Sequence, residues 1–288
     1  MSHVLDAPPP EAAPDWTVPQ RWERFTAGEH ARWRALFDRQ MRLLPGRAAP
    51  EFLDGVAKLD LADGVPDFRR LSERLMKLTG WQVVAVPGLV PEAVFFAHLA
   101  ERRFVAGNFL RDAGHMDYLE EPDVFHDVFG HVPMLAHPVF ADYMQAYGQG
   151  GLRSIGFGSL DKLARLYWYT VEFGLVETAE GLRIYGAGIV SSAGESRFAL
   201  ESPSPNRLGF SLERVMRTRY RIDAFQQTYF VIPSFEALLR QTLETDFAPL
   251  YARLAALPDL GITDILPEDR VFTRGTQAEA APLRDAAA

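Results

Sequence analysis

Residues 121–135 read EPDVFHDVFGHVPML and carry two histidines, His126 and His131, five positions apart among apolar neighbours. In an ideal α-helix, residues five apart differ in direction by about 140°, so their side chains cannot bind the same ion. Gly130 and Pro133 favour a helix end at this point, and His131 would then return along an irregular backbone to the point that His126 faces. The pattern predicts a shared metal site, although the spacing alone more often marks two ordinary core histidines.

A candidate third ligand lies in residues 166–175, LYWYTVEFGL, where Glu172 is the only charged residue. An ionised carboxylate in apolar surroundings costs several kcal/mol unless another group pairs with it. A divalent ion held by two imidazoles would remove that cost. The alternative is that Glu172 reaches solvent or a distant arginine such as Arg165.

Two histidines and one carboxylate with open positions are the ligand set of non-haem Fe(II) oxygenases. Zinc hydrolases also use such ligands, usually from an H-E-x-x-H helix, and that motif is absent from this sequence. The aromatic residues around Glu172 predict a lining for an apolar substrate and dioxygen: Tyr167, Trp168, Tyr169 and Phe173. We therefore expect oxygenase chemistry rather than peptide hydrolysis.

The rest of the chain is mostly helical in its periodicity. The predicted helices are His30–Leu44, Asp67–Leu78, a helix from Pro91 through Phe95 and Leu99, Ser159–Val176 and Phe235–Leu254. The predicted strands are Gln82–Val86, Phe104–Leu110 and Leu182–Val190. The pattern predicts a mainly α fold of the α+β class, with a few short strands. We expect one domain over residues 20–272, with flexible tails at 1–20 and 273–288 because those ends are rich in small and polar residues.

Composition excludes several functional classes. The 288 residues contain no cysteine, which rules out disulfides, thiolate zinc sites, iron–sulfur clusters and cysteine nucleophiles. The net charge of −8, without basic runs, disfavours binding to nucleic acids or anionic membranes. The first fifteen residues lack the features of a signal peptide, and no apolar stretch reaches eighteen residues. These absences predict a soluble cytoplasmic protein.

Three blocks of this sequence, FHDVFGHVP, YWYTVEFGL and IYGAGIVSSAGE, occur in the order found in one enzyme family. Over about residues 20–235 the chain resembles the pterin-dependent aromatic amino acid hydroxylases, most of all their compact bacterial members. The resemblance implies a compact, mainly helical catalytic domain that holds one Fe(II). It implies tetrahydrobiopterin and dioxygen as co-substrates, and a monooxygenase that converts L-phenylalanine to L-tyrosine.

The resemblance also implies roles for individual residues. His126, His131 and Glu172 match the iron ligands, and Tyr167 matches a catalytic-site tyrosine close to the iron. The positions that match the substrate site are Arg111, for the carboxylate, with Pro122, Asp123, Trp168, Gly188 and Ser191. The positions that match the pterin site are Phe95, for stacking on the ring, with Val90, Asp127 and Ala164.

The sequence departs from the family pattern in some places. Leu119 stands where animal members carry a hydroxyl residue beside the substrate carboxylate, and the regulatory domain and tetramerisation helix of those members have no counterpart. The resemblance therefore implies a monomer. Ile222, where tyrosine-specific members carry an acid, favours phenylalanine. The alternatives are a sister hydroxylase for tryptophan or tyrosine, and a helical protein with a structural zinc.

Overall fold

The structure is a computed structural model that describes residues 7–117 and 122–280, and about half of these residues lie in helices. Its α-helices are α1 (Ala27–Leu43), α2 (Pro50–Leu59), α3 (Phe68–Leu78), α4 (Glu92–Ala100), α5 (Val132–Leu135), α6 (Pro138–Ser154), α7 (Leu160–Tyr167), α8 (Ala187–Val190), α9 (Ala193–Glu201), α10 (Leu212–Arg217), α11 (Phe235–Glu244) and α12 (Phe247–Ala255). Short 3₁₀ helices cover Trp22–Arg24, Ala113–His115 and Ile155–Phe157. Two π-helices cover Phe125–His131 and Trp168–Glu172. The prediction of an α+β fold with more helix than strand is confirmed.

The strands form two small sheets. They are β1 (Gln82–Val86), β2 (Arg103–Gly107), β3 (Leu175–Thr178), β4 (Gly181–Ile184), β5 (Asn206–Gly209), β6 (Thr228–Ile232) and β7 (Val271–Thr273). β1 pairs with β2 in parallel, with Gln82 opposite Arg103. The larger sheet has the order β4-β3-β6-β5-β7, in which β3, β6 and β5 run parallel and the two outer strands run antiparallel to their neighbours.

The best-predicted elements have clear start signals. α3 begins after Asp67, whose side chain accepts a hydrogen bond from the backbone N–H of Arg69. α4 begins after Pro91, which cannot donate to a preceding turn. β1 has the predicted bounds, Gln82–Val86. These elements are fixed by local chemistry, so the sequence alone locates them.

Four predicted elements are wrong in their extent. The predicted helix Ser159–Val176 becomes α7 and the second π-helix, and its last residues belong to β3. Gly174 lies at the junction, where a Cβ would be 2.2 Å from the Tyr185 ring. The predicted helix Phe235–Leu254 is two helices, since the Asp246 side chain caps a new helix at the backbone N–H of Ala248. The predicted strand Leu182–Val190 ends at Ile184 and continues into α8, while β2 is Arg103–Gly107 rather than Phe104–Leu110.

Parts of both predicted tails pack against the rest of the described chain. Trp16 is buried, the Asp15 carboxylate pairs with Arg103 at 2.7 Å, and the backbone N–H of Val18 donates to Ala85 in β1. At the other end, β7 extends the sheet, and the backbone N–H of Gly275 donates to the Asn206 side chain at 2.8 Å. Buried contacts of this kind hold segments that composition alone predicts to be flexible.

An aromatic core surrounds the first π-helix. Phe125 and Phe129 stack with ring centroids 4.8 Å apart, and Trp33 of α1 and Phe52 of α2 meet them edge to face. All four side chains are fully buried. This packing fixes the helix segment that carries both histidines. Among the described residues, no helix is long and apolar enough to cross a membrane.

Candidate metal centre

The ligand atoms of His126, His131 and Glu172 lie within 4.8 Å of one another. The two imidazole Nε2 atoms are 3.3 Å apart. The Glu172 carboxylate lies 3.2 Å from His131 Nε2 and 3.5 Å from His126 Nε2 through its two oxygens. The three side chains are between 4% and 18% exposed, so the cluster is largely shielded from water.

Two π-helices bring these ligands together. Hydrogen bonds from residue i to i+5 place residues five apart on one side of the helix, whereas α-helical bonds would separate them. The first π-helix spans both histidines, and the second ends at Glu172. The expectation of an irregular helix exit at Gly130 is therefore wrong, because the helix continues into α5. The side chains nevertheless meet as predicted.

The donor set fits a divalent metal ion. An ion about 2.1 Å from two donors at a right angle separates those donors by about 3.0 Å. The separations of 3.2–3.5 Å in the cluster are close to this value. Three ligands on one face of a six-coordinate ion leave up to three positions for other molecules.

The charges in the cluster also suit a cation. Burial alone would raise the pKa of the Glu172 carboxyl, but the His131 and His126 imidazoles hold it well below its usual range. Burial alone would lower the pKa of His126, but Glu172 raises it above its ordinary value. Both shifts favour a positive charge beside the Glu172 carboxylate, which a metal ion can supply. The alternative partner Arg165 instead pairs with Asp259 at 2.7 Å.

Ser191 fixes the orientation of one imidazole. Its Oγ lies 3.1 Å from Nδ1 of His126, on the opposite side of the ring from the cluster. A hydrogen bond at Nδ1 leaves Nε2 free to act as a metal ligand. The His131 ring packs at a tilt against Phe104 of β2, with ring centroids 5.0 Å apart.

Arg111 and Asp123 form a buried ion pair next to the cluster. Arg111 donates to the Asp123 carboxylate from Nε at 2.8 Å, from Nη2 at 2.7 Å and from its backbone N–H at 2.9 Å. The same carboxylate accepts from the backbone N–H of His126 at 3.1 Å. Burial alone would raise the pKa of Asp123, but Arg111 holds it below its usual range. The pair therefore connects the position predicted to bind substrate with the start of the first π-helix.

The other residues predicted for the substrate site lie on or beside the two π-helices. Trp168 opens the second π-helix, and its ring packs on Phe173 with centroids 4.7 Å apart. A Cβ on Gly188 of α8 would lie 2.7 Å from the Phe173 ring, so only glycine allows this close approach. Pro122 is half-buried directly before Asp123.

Tyr167 lies between the metal cluster and Phe95, one of the residues predicted for the pterin site. The Tyr167 ring lies 6.2 Å from His131 and 5.6 Å edge-on from Phe95, which is half-buried on α4. Burial raises the pKa of Tyr167 well above its ordinary value, so the phenol stays neutral. Asp127 accepts from the backbone N–H of Gly107 at 2.7 Å, and burial raises its pKa.

The sequence also predicts Val90 and Ala164 for the pterin site. Val90 is half-buried just before α4, and Ala164 is half-buried on α7 one turn before Tyr167. Tyr169 does not line the site as expected, because its hydroxyl donates to the Arg219 carbonyl and its ring meets Phe230. Leu119 lies outside the described residues.

Sequence reasoning missed two neighbours of Trp168. The Gln226 side chain accepts a hydrogen bond from the Trp168 indole N–H at 3.0 Å. The Tyr220 ring stacks on the indole with centroids 4.3 Å apart. Both residues are more than fifty positions away in sequence and belong to no motif, so no local signal identifies them.

Comparison with known proteins gives one consistent family. A sequence model described as "Biopterin-dependent aromatic amino acid hydroxylase" matches residues 18–251. "Phenylalanine-4-hydroxylase" of Caulobacter vibrioides is 63% identical over 278 residues, which cover 96% of this chain and 94% of that protein. The protein of the same name from Chromobacterium violaceum is 56% identical over 274 residues, covering 95% and 92%.

Solved structures agree with the sequence relatives. The crystal structure of Chromobacterium violaceum phenylalanine hydroxylase with iron and phenylalanine bound aligns with a TM-score of 0.86 at 56% identity, covering 91% of this chain and 95% of that chain. The structure of the same enzyme with iron(III) and the oxidised cofactor 7,8-dihydrobiopterin aligns with a TM-score of 0.86 at 58% identity, covering 91% and 94%.

Proposed function

The chain belongs to the biopterin-dependent aromatic amino acid hydroxylases, and from this premise we propose that it is an iron- and tetrahydrobiopterin-dependent monooxygenase. It converts L-phenylalanine to L-tyrosine with dioxygen as co-substrate. The names of the relatives, and the iron, phenylalanine and dihydrobiopterin in the related crystal structures, support this reaction.

The cluster of His126, His131 and Glu172 carries the proposal. Its donor separations of 3.2–3.5 Å fit one ion, and this chain offers the two imidazoles and one carboxylate that Fe(II) oxygenases use. A ferrous ion held there, together with the reduced pterin, would supply the activation of dioxygen. The side chains around the site are proposed to bind and orient the substrate and the pterin and to exclude water.

Arg111 is proposed to bind the carboxylate of the amino acid. Asp123 engages its Nε and Nη2 atoms and so holds the guanidinium in one orientation. The Nη1 side of the fork is then available for a second carboxylate, in the charge-assisted geometry that arginine provides. Because Asp123 also accepts from the His126 backbone, the substrate anchor and a metal ligand are positioned by the same carboxylate.

Apolar and aromatic groups are proposed to place the substrate ring and to exclude water. Trp168, Gly188 and Pro122 line the substrate side, and Ser191 orients His126. Phe95 is proposed to stack on the pterin, with Val90, Asp127 and Ala164 around it. Tyr167 lies between Phe95 and His131, where its neutral hydroxyl is proposed to act as a hydrogen-bond donor beside the metal.

The finer features of the protein are also proposals. We propose that it acts as a monomer in the cytoplasm, without nucleic-acid or membrane partners. Phenylalanine is the proposed preferred substrate because Ile222 is apolar where tyrosine-specific members carry an acid. Ile222 follows Arg221, whose backbone carbonyl accepts a hydrogen bond from Gln226, and Gln226 in turn accepts from the Trp168 indole.

Product analysis with the three aromatic amino acids tests the function. The protein is supplied with Fe(II), reduced pterin and dioxygen, and products are identified by mass spectrometry. We expect tyrosine from phenylalanine, with pterin oxidation that depends on phenylalanine. Hydroxylated tryptophan or tyrosine as the main product would assign a sister activity. Absence of any amino-acid-dependent pterin oxidation would point to a structural metal site.

A further inference from the structure

Gln226 connects Trp168 to the loop that follows Tyr220. Its side-chain oxygen accepts from the Trp168 indole N–H at 3.0 Å. Its amide nitrogen donates to the carbonyl oxygens of Arg221 at 3.0 Å and Ala224 at 3.4 Å. The residue is 3% exposed, and the side chain uses both its acceptor and its donor.

The backbone of Gln226 is fixed from the other side by Glu195. This buried carboxylate on α9 accepts from the backbone N–H of Gln226 at 3.1 Å and from the Tyr229 hydroxyl of β6 at 2.7 Å. Loop 221–226 is therefore anchored to the sheet and to α9 at the residue that holds Trp168. The backbone from which the Gln226 side chain extends is therefore held in place.

Ring packing alone does not fix the indole. Phe173 and Tyr220 pack against Trp168 and limit the tilt of its plane. A half-turn about the Cβ–Cγ bond would keep the indole in the same plane between these two rings but would move its N–H to the opposite edge. The hydrogen bond to Gln226 distinguishes the two orientations, since the other one leaves a half-buried N–H without this acceptor.

We propose that Gln226 is a positioning residue that orients the Trp168 indole and thereby sets the affinity of the site for its amino acid substrate. This inference rests on the proposed function. It assigns Gln226 no contact with the metal or the pterin. Loss of its side-chain hydrogen bonds should therefore weaken phenylalanine binding and leave iron and pterin binding unchanged.

The test compares Gln226→Met with Gln227→Met. Gln227 is a matched control because it is equally buried at 3% exposure, but its side chain bonds to Ser204 and to the Phe225 carbonyl. In Gln226→Met we expect the KM for phenylalanine, and its Kd by calorimetry on the iron-loaded protein, to rise about tenfold. The pterin KM and iron content should match the parent. Gln227→Met should show parental constants for phenylalanine.

A double-mutant cycle separates orientation from general loosening. Trp168→Phe keeps an aromatic ring but removes the N–H, so adding Gln226→Met should raise the phenylalanine KM less than twofold further. An undiminished effect in that background, an equal effect of Gln227→Met, or a Gln226→Met constant within twofold of the parent would overturn the inference while the function stands. A parent protein without phenylalanine-dependent tyrosine formation would overturn both.

Discussion

Replacing Arg111 by lysine keeps the positive charge but removes the planar fork. In the structure, Arg111 makes two parallel hydrogen bonds to Asp123, at 2.8 and 2.7 Å, and both side chains are buried. A single ammonium group cannot make this pair of bonds and also face a substrate carboxylate with fixed geometry. Arg111→Lys should therefore impair phenylalanine binding nearly as much as Arg111→Ala.

The size of the effect follows from the hydrogen bonds that the Arg111→Lys variant loses and those that Asp123 keeps. One lost charge-assisted hydrogen bond costs about 1.5–3 kcal/mol, so the phenylalanine KM should rise about 10- to 100-fold. Asp123 keeps the backbone donors of residue 111 and His126, at 2.9 and 3.1 Å, so the buried carboxylate remains partly satisfied. The lysine variant should fold, with a lower melting temperature.

Steady-state kinetics distinguish this role from others. The KM for phenylalanine and the KM for pterin are measured in each variant, together with iron content. Arg214→Lys is the matched control, because Arg214 and Asp269 form a pair with side chains 5% and 4% exposed, outside the predicted site. The control should lose stability without a change in phenylalanine KM. If the pterin KM of Arg111→Lys rises and the phenylalanine KM does not, Arg111 does not bind the substrate carboxylate.

Three further predictions test other parts of the account. Alanine at His126, His131 or Glu172 should abolish iron binding and turnover while circular dichroism stays largely helical; normal iron stoichiometry in all three variants would contradict the ligand assignment. Burial raises the pKa of Glu195 to about 7, above its ordinary 4.5, so the folded state binds this proton more tightly than the unfolded chain. Stability should then fall by no more than about 3 kcal/mol between pH 4.5 and 7, and denaturant titrations of Glu195→Gln should lack that fall. Parallel pH profiles for parent and variant would refute this. The protein should elute as a monomer near 32.3 kDa, and a stable tetramer at micromolar concentration would refute that proposal.

The sequence predicts the metal cluster because burial of charge is a strong constraint. Residues 166–175 contain no cation that could pair with Glu172, so its partner must be a bound ion or a residue from another part of the chain. The two π-helices that bring the ligands together could not be predicted in the same way. A π-helix and an α-helix use the same residue types, and the aromatic packing of Phe125 and Phe129 that surrounds the first π-helix involves α1 and α2.

Long-range contacts explain most of what sequence reasoning missed. Arg165 pairs with Asp259, ninety-four positions away, rather than with Glu172. Trp168 bonds to Gln226, fifty-eight positions away. The packing of Trp16 and the hydrogen bonds of Gly275 likewise depend on partners that periodicity and composition do not reveal. By contrast, helix starts at Asp67 and Pro91 depend on adjacent residues and were predicted.

The origin of the oxygen atom in the product tests the central claim most directly. The protein is loaded with Fe(II) and incubated with L-phenylalanine, reduced pterin and isotopically heavy dioxygen, and tyrosine is analysed by mass spectrometry. A monooxygenase that uses the cluster of His126, His131 and Glu172 should give tyrosine with one heavy oxygen atom, and Glu172→Ala should give none. Tyrosine whose new oxygen comes from water, or labelled tyrosine formed equally well by the Glu172→Ala variant, would contradict the account.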